Sequence, residues 1–121
     1  MFGVATGKGR GGSFEFASAN ELWRASLDVI DFMPLTSVNY SGGVIITDWY
    51  SDQGNTNESI KITIKFLSNE VRSDSLDVDV FYKTCIATNN CKINKQEGQL
   101  KKEITKQILA KAAIYKKQVK D

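Results

Sequence analysis

The chain has 121 residues, 41% hydrophobic and 25% charged, with a net charge of +2. That fits one ordinary globular domain, able to bury roughly two thirds of its unfolded surface without a metal, disulfide or partner. There is no histidine, which removes the commonest general base and the commonest neutral metal ligand, and with them serine triads, Cys–His pairs and histidine-bearing zinc sites.

The overall charge is too small to point to nucleic acid, but its distribution is uneven. From Lys92 to Asp121, nine lysines stand against three acidic side chains, a net of +6. Residues 1–91 carry seven basic and eleven acidic side chains, a net of −4. The molecule is electrically lopsided along its length. No apolar run approaches the ~20 residues that a membrane-crossing helix needs.

Residues 1–17 hold five of the nine glycines. They read as a flexible lead ahead of a single domain over 18–121, because glycine loses most backbone entropy on ordering. Phe14 and Phe16 alternate with Glu15, the pattern of a short edge strand or of an apron over the core. The GKGRGG stretch lacks the spacing of a phosphate loop and no apolar strand precedes it. Arg10-Gly11-Gly12 occurs once, without the repeats and aromatics of a nucleic-acid arm.

The spacing next predicts an amphipathic helix. Ser18 and Glu21 form a capping box. Leu22, Trp23, Ser26, Leu27, Val29, Ile30 and Met33 share one broad face. Glu21, Arg24, Asp28 and Asp31 share the other, with Arg24 and Asp28 four apart. Pro34, the only proline, is expected to end the helix by disfavouring helical geometry at Met33. Trp23 on the apolar stripe reads as core rather than as a binding aromatic.

Ser41-Gly42-Gly43 is a turn signal, and Val44–Tyr50 a strand. Burying Asp48 unpaired would be costly, so Ile45 and Trp49 are expected to face inward, in a central strand. A polar loop, Ser51–Asn57, follows. Ile60, Ile62, Ile64 and Phe66 then alternate with Lys61, Thr63 and Lys65, the pattern of a half-buried antiparallel strand. Leu76, Val78, Val80 and Tyr82 alternate with Asp77, Asp79, Phe81 and Lys83. Paired as a hairpin, the two strands would set Lys61 and Lys65 against Asp77 and Asp79 on a solvated outer face.

Cys85 and Cys91 flank IATNN. A second hairpin would set them opposite each other, within disulfide reach. Two readings stand: a structural disulfide in an oxidising compartment, which is favoured, or free thiols in a reducing one. The spacing fits neither a zinc site nor a redox C-x-x-C pair. From about Gln99 to Val119 a second amphipathic helix is expected, with Leu100, Ile104, Ile108, Ala112, Tyr115 and Val119 buried. Lys101, Lys102, Lys106, Lys116 and Lys117 fall outside or beside that stripe. Such a helix either covers the core with a solvated lysine face or lies on an anionic membrane.

The predicted fold is α+β: an antiparallel sheet of three to four strands with two helices packed on one face, in the order α-β-β-β-(β)-α. Candidates for chemistry are few: Asp77 and Asp79 alternate on a strand face beside lysines, Asp28 and Asp31 lie on an exposed helix face, and SDQGNTNES is too poor in ligands for a calcium loop. No catalytic residue, cofactor or metal is expected, and the chain does not read as an enzyme.

The stretch LWRASLDVIDFMPL…GGVIITDWYS, with the later VRSDSLDVDVF, resembles a bacterial family known as domain of unknown function 3576, found in alphaproteobacteria, usually as exported lipoproteins. The likeness runs from about Leu22 to Tyr82. It implies a signal peptide and a lipid-accepting cysteine, neither of which is seen in these residues. Either they were removed for expression, leaving an added Met1, or this member is not anchored. The helix–sheet–helix order also looks like the helix-grip modules of an accessory lipoprotein of the outer-membrane β-barrel assembly machine, in topology alone.

Three functional readings follow. The first, preferred from the resemblance and the cysteine pair, is a periplasmic domain at or near the outer membrane that binds other envelope proteins. It would touch the membrane only through a lipid anchor absent from this chain. Its expected contact residues are Trp49, Tyr50, Lys101, Lys102 and Lys106. The second is a small-ligand or lipid carrier with a cavity between helix and sheet. The third, a nucleic-acid binder using the lysine helix, is not favoured; no nucleic-acid partner is expected.

Overall fold

The computed structural model describes residues 20–51, 57–68 and 70–120, with side chains as far as residue 118. The glycine-rich lead, with Phe14 and Phe16, the cap assigned to Ser18, most of the Ser51–Asn57 loop and the Val119 side chain lie outside the described residues.

Helix α1 (Glu21–Val29) is followed by strands β1 (Leu35–Asn39), β2 (Val44–Thr47), β3 (Glu58–Phe66), β4 (Leu76–Ala87) and β5 (Asn90–Gln96), then by helix α2 (Gln99–Lys120). The strands form one antiparallel sheet in sequential order. The α+β class is as expected. The sheet, however, has five strands rather than three to four, and the order is α-β-β-β-β-β-α. The helix-grip order is corrected accordingly.

The added strand is β1. All five of its residues are exposed, so neither face carries the apolar alternation that marks a half-buried strand. It exists because the Ser41-Gly42-Gly43 turn folds it back on β2. Gly43 has a φ of +66°, a conformation glycine adopts without steric cost. Asn39 Oδ1 accepts from the Gly42 N–H at 2.8 Å and closes the turn.

Helix α1 begins at Asn20, whose side chain accepts from the Trp23 N–H at 3.0 Å. Among the described residues this is the cap that satisfies an end group. The helix stops at Val29, before the expected end near Met33. Ile30 is its C-cap, and Met33 bonds back to Ile30 in a turn that leads into Pro34.

The core is a single cluster. Leu22, Trp23, Ala25, Ile30 and Met33 from the first helical segment meet Ile45, Ile62, Ile64, Leu76, Val78 and Val80 from the sheet, and Ile104, Ile108 and Ala112 from α2. Both helices therefore cover the same face. Trp23 is 1% exposed, with its ring 4.7 Å from Tyr40 and 5.1 Å from Phe66. Its core reading holds.

Strand β2 departs from expectation beyond Thr47. Ile45 and Thr47 point inward and are fully buried. Ile46 faces Thr63, yet Tyr50 faces Ile60, so one strand spends an extra residue. Such a bulge moves the following side chains to the opposite face. The Thr47 hydroxyl fills the gap, accepting from the Ile62 N–H at 2.9 Å and donating to the Asp48 carbonyl at 3.0 Å. The expectation that Trp49 faces inward is thus corrected. Tyr50 packs on the core instead, and Trp49 lies half-buried under Lys61 and Lys83, whose Nζ atoms are 5.6 and 4.6 Å from its ring centroid.

On the outer face Lys65 stands opposite Asp77, but Lys61 faces Phe81 and Asp79 faces Thr63, so the expected lysine–aspartate ladder is corrected to a single facing pair. Asp79 does not belong to a solvated ladder. It is 6% exposed and pairs with Lys95 of β5 at 3.3 Å. Cys85 faces Cys91 across the β4–β5 hairpin, with Cα atoms 4.0 Å apart and the sulfurs bonded.

Candidate functional site

A groove runs along the first three turns of α2, against the short turn Ser73–Ser75 that precedes β4. Ser73, Glu97, Gly98, Lys101, Lys102, Thr105, Lys106 and Leu109 line it. Its volume is about 450 Å³, its walls are mostly apolar, and it is open to solvent. From Gly98 to Leu109 the helix rises about 16 Å at ~1.5 Å per residue.

Helical periodicity assembles this wall. Residues four apart lie one above another. Glu97, Lys101 and Thr105 make one row; Gly98, Lys102 and Lys106 make the next. Leu100, Ile104 and Ile108 lie on the neighbouring stripe and anchor the helix in the core. The groove thus flanks the buried stripe, where lysine stems supply apolar surface and the ammonium groups stay in water.

The three lysines differ. Lys101 is half-buried, and its Nζ donates to Glu97 Oε1 at 2.8 Å. That hydrogen bond, opposed by desolvation and aided by the charges of Glu97, Asp77 and Asp79, holds its pKa above the ordinary lysine value. Lys102 and Lys106 are exposed. Thr105 Oγ1 donates to the Lys101 carbonyl at 2.9 Å. Gly98 leaves the mouth open: a Cβ built there would meet nothing within 4 Å.

Of the five contact residues named from the sequence, Lys101, Lys102 and Lys106 come together in this groove. Trp49 and Tyr50 do not join them, nor do they share a face with each other. Trp49 is on the outer face of the sheet, and Tyr50 meets Phe32 edge-on with centroids 5.4 Å apart. Glu97 and Thr105 were missed, although their four-residue spacing from Lys101 places them on its row. Ser73 is remote in sequence and carried no signal.

Among the described residues, no three His, Cys, Asp or Glu side chains are arranged to hold a metal ion. No helix among them is long and apolar enough to cross a membrane.

The chain belongs to the family described as Domain of unknown function (DUF3576), which matches residues 16–117. It is similar to Uncharacterized protein RP420 of Rickettsia prowazekii (strain Madrid E), with 37% identity over 91 residues, covering 75% of this chain and 54% of that protein. The chain therefore spans about half the length of that curated relative. No solved structure matches it.

Proposed function

We propose that this is a non-enzymatic interaction domain of the bacterial cell envelope, held in the periplasm at or near the outer membrane, which binds other envelope proteins. The observation that carries this reading is the groove on α2, an apolar trough rimmed by Lys101, Lys102 and Lys106. Interfaces combine a desolvated apolar centre with a polar rim in this way. The Cys85–Cys91 bond supports an oxidising compartment. The exported, lipid-anchored habit comes from the resemblance to alphaproteobacterial lipoproteins.

A second reading, a small-ligand or lipid carrier, has the groove's size in its favour, since about 450 Å³ lies within the usual range for ligand sites. Against it, the groove is open, and buried side chains from the helices and the sheet pack together as one core cluster.

The test is site-specific photocrosslinking in intact cells, with the crosslinker at position 106 or, as control, at the exposed hairpin residue Ile86. The expected result is a discrete envelope protein trapped from position 106 and not from 86. Identical or empty patterns from both positions would overturn the reading.

A further inference from the structure

Resting on that reading, we infer that the occupant of the α2 groove is an acidic amphipathic segment of a partner protein, with carboxylates on the lysine rim and apolar side chains on the trough floor. Three observations carry this. The lining is mostly apolar surface, supplied by lysine stems with Leu109 at one end. The rim carries three ammonium groups and one carboxylate, and the pair Glu97–Lys101 is already closed on itself. Lys102 and Lys106 remain exposed, four residues apart on one helical row.

Side chains at that spacing have Cβ atoms roughly 5–6 Å apart, a separation that carboxylates one helical turn apart reproduce. Such a segment would lie along α2 and meet both lysines at once. A bare anion would satisfy the ammonium groups and leave the apolar floor wet. A neutral apolar ligand would leave the cations without counter-charge. The open trough, about 16 Å long at ~1.5 Å per residue, matches some three turns of a peptide helix.

Glu97 acts as a competitor within the groove. It neutralises Lys101 and adds a negative charge where the partner's carboxylates would approach. Replacing it should therefore strengthen binding, in the opposite sense to replacing a lysine.

The test uses the full chain with its disulfide intact and a fluorescent helical peptide bearing Glu at i and i+4 beside a leucine stripe. A matched peptide has Gln for Glu, and vesicles of anionic phospholipid form a third arm. The expected result is binding of the Glu peptide that falls about tenfold in the double variant Lys102→Glu/Lys106→Glu, rises in Glu97→Gln, and weakens with salt. The variant Lys116→Glu/Lys117→Glu changes net charge equally on the same helix outside the groove and should leave the affinity within about twofold. Unaltered melting of each variant establishes that its fold is intact. Equal binding of the Glu and Gln peptides, equal effects of the two double variants, or groove-dependent binding of vesicles in place of peptide would overturn the inference. A specific in-cell crosslink at position 106 alongside such a failure would leave the interaction reading standing and sink only the acidic segment.

Discussion

The Tyr115 hydroxyl, on α2, donates a hydrogen bond to the Asp28 carboxylate on α1. The Arg24 guanidinium lies over the same ring, 4.2 Å from its centroid. Arg24 and Asp28, which the sequence placed one helical turn apart, are thus bridged by a residue of the other helix. The hydrogen bond to Asp28 is the largest cause of a Tyr115 pKa above the ordinary tyrosine value; desolvation and the Asp28 charge add to it, and Arg24 opposes it. A pKa raised on folding gives stability that is complete below the unfolded value of about 10 and lost as pH rises through the folded one. Tyr115→Phe should therefore remove part of the alkaline loss of stability. Denaturant unfolding of both proteins across that range checks it; parallel curves would contradict the bridge.

Ile62 and Val78 sit on the inward face of β3 and β4, 0% and 1% exposed. An aspartate at either place would bury an uncompensated charge against a total stability on the order of 5–15 kcal/mol. Ile62→Asp and Val78→Asp should each abolish cooperative thermal unfolding. A retained sharp transition in circular dichroism would contradict the assigned faces.

At Gly43 a Cβ would lie 3.3 Å from the Phe66 carbonyl oxygen, and the backbone is left-handed there. Gly43→Ala should cost about 1–2 kcal/mol, the steric penalty of that conformation for a residue with a side chain. Urea midpoints of the two proteins measure it, with an unchanged slope expected.

The Cys85–Cys91 bond closes a short hairpin whose outer strand, β5, is exposed throughout. Its loss should cost about 2 kcal/mol by the loop-closure relation and leave the rest folded. The double variant Cys85→Ser/Cys91→Ser should still unfold cooperatively, at a lower urea midpoint that added reductant no longer shifts.

The parts that were legible in the sequence are those with one wet and one dry face. The strict alternation from Ile60 to Phe66 and from Leu76 to Tyr82 gave both long strands and their pairing. The Leu100-Ile104-Ile108 stripe gave α2. LTSVN was invisible because an edge strand exposed on both faces has no alternation to show. Trp49 was misplaced because an extra residue between Ile46 and Tyr50 leaves no trace in composition. The lysine rim was readable as the polar flank of a helix. The opposite wall of the groove was not, since Ser73 arrives from a turn whose position only the folded sheet defines.

The bulge that turns Trp49 away from the core gives this protein two indoles in unlike surroundings. Trp23 is sealed among aromatic rings, while Trp49 sits beneath two ammonium groups on the outside of the sheet. Their emission spectra should separate accordingly, so that one chromophore reports collapse of the interior and the other reports events on the sheet's far surface. Replacing either tryptophan alone would yield a single-site optical probe of folding or docking without an added label.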